Sequence, residues 1–281
     1  MFDWMVFFPK HESLWTSYAN VRLDMKVKES IEYHWDPQSF NASLLSHRPD
    51  PSLGYLDETT GSDVFDIIEN YLDNSPYSLC GSFIILVVKR YPNTVQTDRV
   101  LKKLRDNHVF VFISATDTPS GGNNPDALFD VAFKTNGMCF SDSDASMQSD
   151  VFTFSFLFSR PYPFISLNYE VSGVGSKKIP FQSGYYWNNW HQIEKNVIFQ
   201  NHARDDNFKS FNFTILDNSG NVIDDGPFSV NPKANSHTTY PAFNSTTDYT
   251  LTVNYEYKTS KIQTLQIKMW REMPTDWLPL P

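Results

Sequence analysis

Two uninterrupted apolar runs, Phe83-Ile84-Ile85-Leu86-Val87-Val88 and Val109-Phe110-Val111-Phe112-Ile113, restrict the fold of this chain more than any other feature. Neither alternates polar with apolar residues, so neither suits a strand with one wet face. Both suit parallel strands covered on both faces. Between them, Thr97-Asp98 offers cap chemistry, and Val100, Leu101 and Leu104 form one stripe with Lys102, Lys103 and Arg105 elsewhere, the pattern of an amphipathic helix. A helix is predicted ahead of the first run, from Asp63 to Leu72, with Val64, Phe65, Ile68, Tyr71 and Leu72 spaced along it behind Thr60-Gly61-Ser62. After the second run, Asn124 as N-cap, Pro125 at the first helical position and Asp126 in the first turn open a helix through Ala127, Leu128, Val131 and Ala132, which Asn136-Gly137 stops. Met138-Cys139-Phe140 reads as a third strand. This order implies right-handed crossovers and a doubly wound, mostly parallel sheet.

Upstream, Val21–Met25 and Ser30–Tyr33 supply two weaker strand candidates, while Asp36-Pro37 and Arg48-Pro49-Asp50-Pro51 read as loops. Downstream the pattern changes. Phe152-Thr153-Phe154-Ser155-Phe156, Ser210–Ile215, Tyr249–Val253 and Lys261–Trp270 alternate, and Asp217-Asn218-Ser219-Gly220, Asp224-Asp225-Gly226-Pro227 and Asn231-Pro232 punctuate them as turns. Strands and turns so spaced point to an antiparallel β-sandwich. The expected organisation is therefore an α/β domain over residues 1–148 and a β-sandwich domain over 149–281.

Composition removes several function classes. The chain has 281 residues, 40% hydrophobic and 16% aromatic, enough to build real cores. Its 32 acidic and 23 basic residues leave a net charge of −9 with no basic stripe, which argues against a nucleic-acid partner. No apolar run reaches the roughly eighteen residues that a membrane-spanning helix needs. The seven histidines are scattered, and His11-Glu12 is followed by Trp15 where a zinc-protease motif places its second His. No Gly-x-Ser-x-Gly elbow is present.

The runs Phe83–Val88 and Val109–Ile113, with Val100-Leu101-Lys102-Lys103-Leu104 between them and Asn124-Pro125-Asp126-Ala127-Leu128 and Ala132-Phe133-Lys134-Thr135-Asn136-Gly137-Met138-Cys139-Phe140 after them, resemble the second half of a von Willebrand factor A domain. The last phrase is similar to divergent A-like domains of secreted nematode proteins of unknown function. The likeness covers residues 59–147 and fits the first fifty poorly, which implies a degenerate or truncated start. Such domains hold a divalent cation at the carboxyl edge of the sheet with an Asp-x-Ser-x-Ser loop, a Thr and an Asp, all hard oxygen ligands. Here Thr59 or Thr60 matches the Thr. The Asp-x-Ser-x-Ser loop has no counterpart, and Lys89-Arg90 stands where the Asp belongs. The resemblance thus implies an A-type scaffold with no metal ligands and no cofactor.

The remaining candidates weigh as follows. Asp142-Ser143-Asp144-Ala145-Ser146 has the look of a calcium loop but lacks its Gly and terminal Glu, so a turn leading into a short helix is the better reading. Gly121-Gly122-Asn123-Asn124 reads as a plain loop, since no Lys-Ser/Thr pair follows it. Cys80 and Cys139 would close a loop of about sixty residues, worth about 4 kcal/mol if bonded; the other reading is two buried thiols. Asn41, Asn212 and Asn244 each open an Asn-x-Ser/Thr sequon. Tyr185, Tyr186, Trp187 and Trp190 form the densest aromatic segment, either a recognition surface for a protein or carbohydrate or a strand packed on the core.

Two functions stand against each other. The first is a secreted, non-catalytic binding or structural protein with an unidentified protein or carbohydrate ligand. The second is an intracellular α/β enzyme with Lys89, Arg90, Thr116 and Asp117 around a cleft at the strand carboxyl ends. The opening residues Met1–Pro9 lack a basic segment and do not read as a signal peptide, so secretion further requires that the natural start lie upstream, and the chain is cytoplasmic if it is complete as given.

Overall fold

The computed structural model describes residues 15–184, 190–226, 234–244, 247–274 and 276–280. The chain divides into two compact units between Phe158 and Ser159.

The first unit opens with a short antiparallel ribbon, β1 (Tyr18–Asn20) and β2 (Glu32–His34), followed by α1 (Pro37–Ser46) and α2 (Val64–Asn74). Then come β3 (Phe83–Val88), α3 (Asp98–Asp106), β4 (Phe110–Thr116), α4 (Asp126–Phe133), β5 (Met138–Asp142) and α5 (Met147–Phe156). The three later strands form one parallel sheet in the order β3-β4-β5, with Phe83 beside Phe110 and Phe112 beside Met138. Val64 and Ile68 of α2, Leu104 of α3 and Leu128 of α4 share one core with Val88, Val111, Ile113 and Cys139 from one face of the sheet. Phe112 and Phe140, which alternate to the opposite face, meet Phe154 of α5 with ring centroids 5.7 and 5.0 Å apart. Trp15 packs edge-on against Phe83 on that side. Both faces are thus covered, the burial that the two unbroken apolar runs require.

Three local readings change. Phe152–Phe156 is not a strand. Met147, Val151 and Phe154 are its buried residues and recur at helical spacing, while Phe152 is 40% exposed, so α5 belongs to the sheet before it and the boundary falls ten residues after the expected 148/149. Val21–Met25 does not form a strand, because Asp24 takes φ +62° and exchanges backbone-to-carboxylate hydrogen bonds with Asp63. Asp36-Pro37 is not a loop but the start of α1, where the Asp36 carboxylate accepts from the Ser39 N–H at 2.8 Å and Pro37 occupies the first turn.

The described elements of the second unit are all strands: β6 (Tyr162–Val171), β7 (Val174–Gln182), β8 (Trp190–Gln192), β9 (Glu194–Ile198), β10 (Phe208–Asp217), β11 (Val222–Gly226), β12 (Ser236–Thr239), β13 (Ala242–Asn244), β14 (Asp248–Tyr257) and β15 (Gln263–Arg271). They form two four-stranded antiparallel sheets, ordered β11-β10-β14-β7 and β12-β9-β15-β6, and a two-stranded pair of β13 and β8. Phe211, Phe213, Ile215, Leu251 and Val253 of the first sheet and Val197, Leu265, Ile267 and Met269 of the second contribute to one core. The predicted turn at Asp217–Gly220 is the β10–β11 hairpin, with Gly220 at φ +85°. Asp224-Asp225-Gly226 is no turn but part of β11, paired with β10. Asn231-Pro232 lies outside the described residues.

Candidate functional site

Because β3, β4 and β5 run parallel, their carboxyl ends gather at one edge, and the residues that follow each strand meet there. Lys89 follows β3. Its Nζ lies 2.5 and 2.6 Å from the two carboxylate oxygens of Asp144, beyond β5, and also donates to Thr116 Oγ1 at 3.3 Å and the Thr118 carbonyl at 3.2 Å. Thr116 Oγ1 donates to Asp144 as well. Lys89 and then Thr116 hold the Asp144 carboxyl below its ordinary range. The pair is about half exposed, at 46% and 55%, so it adds under ~1 kcal/mol to stability and matters for where it places charge. An ammonium thus sits at the carboxyl edge of the parallel sheet. Among the described residues, no group of three or more His, Cys, Asp or Glu side chains is arranged to hold a metal.

Arg90, the neighbouring cation, turns away and is buried. It donates to the carbonyls of Asp57 and Thr60 at 2.7 and 2.5 Å and to that of Tyr55 at 3.1 Å, closing the loop before α2. Thr59 and Thr60, the candidates for a metal-binding Thr, give their hydroxyls to the Asp57 carboxylate at 2.8 Å each. Asp117 donates its N–H to the Asp142 carbonyl. Lys89 and Thr116 therefore meet, while Arg90 is committed to the loop before α2. Asp142–Ser146 forms a turn into α5, with Ser146 as N-cap. Asn124 is not the N-cap of α4: Pro125 holds that position, and the Asn124 side chain donates to the Thr94 carbonyl.

On the α5 face of the sheet, Asp150 accepts from the buried Ser114 hydroxyl at 2.7 Å. Burial, with nearby Asp142 adding to it, pushes the Asp150 carboxyl up to about 7. The folded unit thus keeps a proton that the unfolded chain releases above its ordinary value of 3.8, and stability falls as pH rises from about 4 to 7. Asp150→Asn is expected to remove this dependence. Relative to the parent, the variant gains on the order of 3 kcal/mol at pH 8 and nothing at pH 4, read from urea denaturation at the two pH values.

The second unit buries several charged or polar groups within its strands. Lys195 Nζ pairs with Asp224 Oδ2 at 2.7 Å and lies over the Phe213 ring. Burial lowers the amine to about 8. Glu194, Asn196 and Lys268 are wholly buried. Asn196 Nδ2 donates to Glu194 Oε1 at 2.9 Å, and Lys268 Nζ donates to Ser166 Oγ at 2.6 Å. Sequence reading missed these groups. The available signal was a charged residue at alternating positions inside otherwise strand-like segments.

Other predicted residues fall as follows. Cys80 and Cys139 are not bonded to each other, which overturns the disulfide: Cys80 is exposed ahead of β3, and Cys139 is buried in β5. Cys139 stands level with Ile113 of β4 and Leu86 of β3, two strands across from β3 and six residues along from Cys80, beyond the reach of a disulfide. Asn212 is exposed on β10, Asn41 is half-buried within α1, and Asn244 ends β13. Tyr185, Tyr186, Trp187 and the side chain of Trp190 lie outside the described residues. No described helix is long and apolar enough to cross a membrane.

The model of a family described as a domain of unknown function (DUF7154) matches residues 167–272, all in the second unit. No curated protein matches the chain. Among solved structures it is similar to a von Willebrand factor type A protein from Catenulispora acidiphila, at 13% identity and a TM-score of 0.32, over 88% of this chain and 50% of that one. It is also similar to dimeric latent PorU from Porphyromonas gingivalis, at 14% identity and a TM-score of 0.22, over 42% of this chain and 12% of that one. The chain spans half the length of the first of these and a small part of the second.

Proposed function

We propose that this chain is a non-catalytic extracellular protein with a binding or structural role, built from an A-type-like module without a metal-ion adhesion site and a β-sandwich. The observation that carries the reading is the Lys89 ammonium at the carboxyl edge of the parallel sheet, held by Asp144 and Thr116. A divalent cation entering there would meet a fixed positive charge and, among the described residues, one carboxylate in contact with it, where hard-cation sites need several oxygen ligands. Any ligand is then recognised without a metal bridge, through the second unit with its aromatic segment Tyr185–Trp190, and is a protein or a carbohydrate. The exposed sequon asparagine Asn212 agrees with an extracellular setting.

Two measurements test the reading. Titration calorimetry of the full chain with Mg²⁺ and Mn²⁺ is expected to show no saturable binding at millimolar metal. One equivalent of bound metal that disappears in Asp144→Ala defeats the proposal. Mass spectrometry of native material is expected to find a glycan on Asn212, and unmodified Asn41, Asn212 and Asn244 together remove the extracellular part.

A further inference from the structure

In the sheet ordered β12-β9-β15-β6, the residues Thr238, Asn196, Lys268 and Ser166 stand directly opposite one another and make one row across the four strands. The row lies on the side of the sheet opposite Leu265, Ile267 and Met269, which alternate with Lys268 along the strands and enter the core. Lys268 belongs to a strand flanked by Asn196 on one side and Ser166 on the other. Side chains directly opposite on antiparallel strands have Cβ atoms about 5 Å apart, which the four-carbon stem of a lysine spans. Asn196 is as direct a cross-strand neighbour of Lys268 as Ser166 is, so a stem long enough to bring Nζ to Ser166 is also long enough to reach Asn196.

The surroundings of that carboxamide match acyl transfer. Thr238 Oγ1 donates to Asn196 Oδ1 at 2.5 Å, on the oxygen where negative charge develops when the carbonyl is attacked. Glu194 Oε1 accepts from Asn196 Nδ2 at 2.9 Å, so the carboxyl touches the departing nitrogen. Its other oxygen, Oε2, is buried and has no hydrogen-bond partner among the described residues. Glu194, Asn196 and Lys268 are all 0% exposed, so water does not compete as nucleophile.

The geometry points to an intramolecular isopeptide bond between Lys268 Nζ and Asn196 Cγ, formed by the folded chain itself with Glu194 as proton carrier. The neutral amine attacks Cγ, and the oxyanion is held by Thr238. Glu194 passes its proton to the departing nitrogen and takes up the one that Nζ loses. The Cγ–Nδ2 bond breaks, the Nζ–Cγ bond forms, and one ammonia leaves, with no oxidant or cofactor required. Burial supports the protonation states: the Glu194 carboxyl is pushed up to about 8 and the Lys268 amine down to about 7, so proton donor and free base coexist near neutral pH. The product ties β9 to β15 covalently and replaces three costly buried polar groups with one amide and one carboxyl.

Accurate mass of the full chain, expressed in bacteria and so free of glycans, tests this. The expected mass is one ammonia below that of the sequence, and proteolysis after denaturation is expected to give a branched peptide joining Lys268 to Asn196. Glu194→Gln, which keeps the shape but loses the proton carrier, is expected to return the full mass and two separate peptides. A wild-type chain at full sequence mass, with Lys268 and Asn196 in separate peptides, overturns the inference whether or not any variant folds.

Discussion

Gly137→Ala is expected to unfold the first unit. A Cβ at this position would lie 1.9 Å from the Val111 carbonyl oxygen, 2.7 Å from its carbon and 2.9 Å from its nitrogen. All three are backbone atoms of β4, the middle strand, which is bonded to β3 on one side and β5 on the other and has no room to shift. Only an absent side chain lets the connection from α4 pass close enough for Met138 to pair with Phe112. The clash is expected to cost at least about 4 kcal/mol, a large part of the stability of an ordinary domain. Circular dichroism of the variant at room temperature should show the helical signal lost, since all five described helices lie in that unit. Gly173→Asn is the control. Its φ is +58°, but nothing lies within 4 Å of the added Cβ, so the cost should stay near or below ~1 kcal/mol. Equal stability of the parent and Gly137→Ala would show that β4 yields, contrary to this packing.

Asp224→Ala is the second large effect. Lys195 is wholly buried, and Asp224 is its salt-bridge partner, also held by the Thr239 hydroxyl at 2.9 Å. Removing the carboxylate leaves an ammonium in the core, a change that costs about 3–5 kcal/mol. Lys195→Met keeps the stem and removes the charge, so Asp224→Ala combined with Lys195→Met is expected to recover most of the loss. The pH dependence has a definite sign. Burial lowers the folded-state amine from 10.5 to about 8, so the folded protein gives up its proton before the unfolded chain does, and stability rises with pH from about 8 to 10.5. Without Asp224 the amine falls further, and the rise begins at lower pH. Denaturant midpoints of parent, single and double variants at pH 7 and pH 9.5 read both effects. A single variant as stable as its parent at pH 7 would mean that Lys195 reaches water.

Much of the first unit was legible because burial on both faces leaves a local mark. A strand covered on each side is apolar at every position, and β3 and β4 are written that way. The helices between them carry their own stripes and end near Asn136-Gly137, where Asn136 takes φ +57°. In the second unit, β10, β14 and β15 were legible from alternation alone. Alternation misled at Phe152–Phe156, where the same residues also satisfy a helical period and packing on Phe112 and Phe140 selects it. It was silent at β9, where every residue is buried, charged ones included.

What the sequence by itself determined is the type and order of the strongest elements: two apolar runs suited to a covered parallel sheet with a third strand after them, the helices that cross between them, and a strand-rich second half. Those properties depend on neighbours a few residues apart. Only the tertiary structure decided which distant residues meet. It placed Lys89 on Asp144 and Thr116, kept Cys80 two strands away from Cys139, and aligned Asn196, Lys268 and Ser166 in one row. Each of those meetings follows from crossover connections and strand register, which join residues tens of positions apart and leave no period in the sequence.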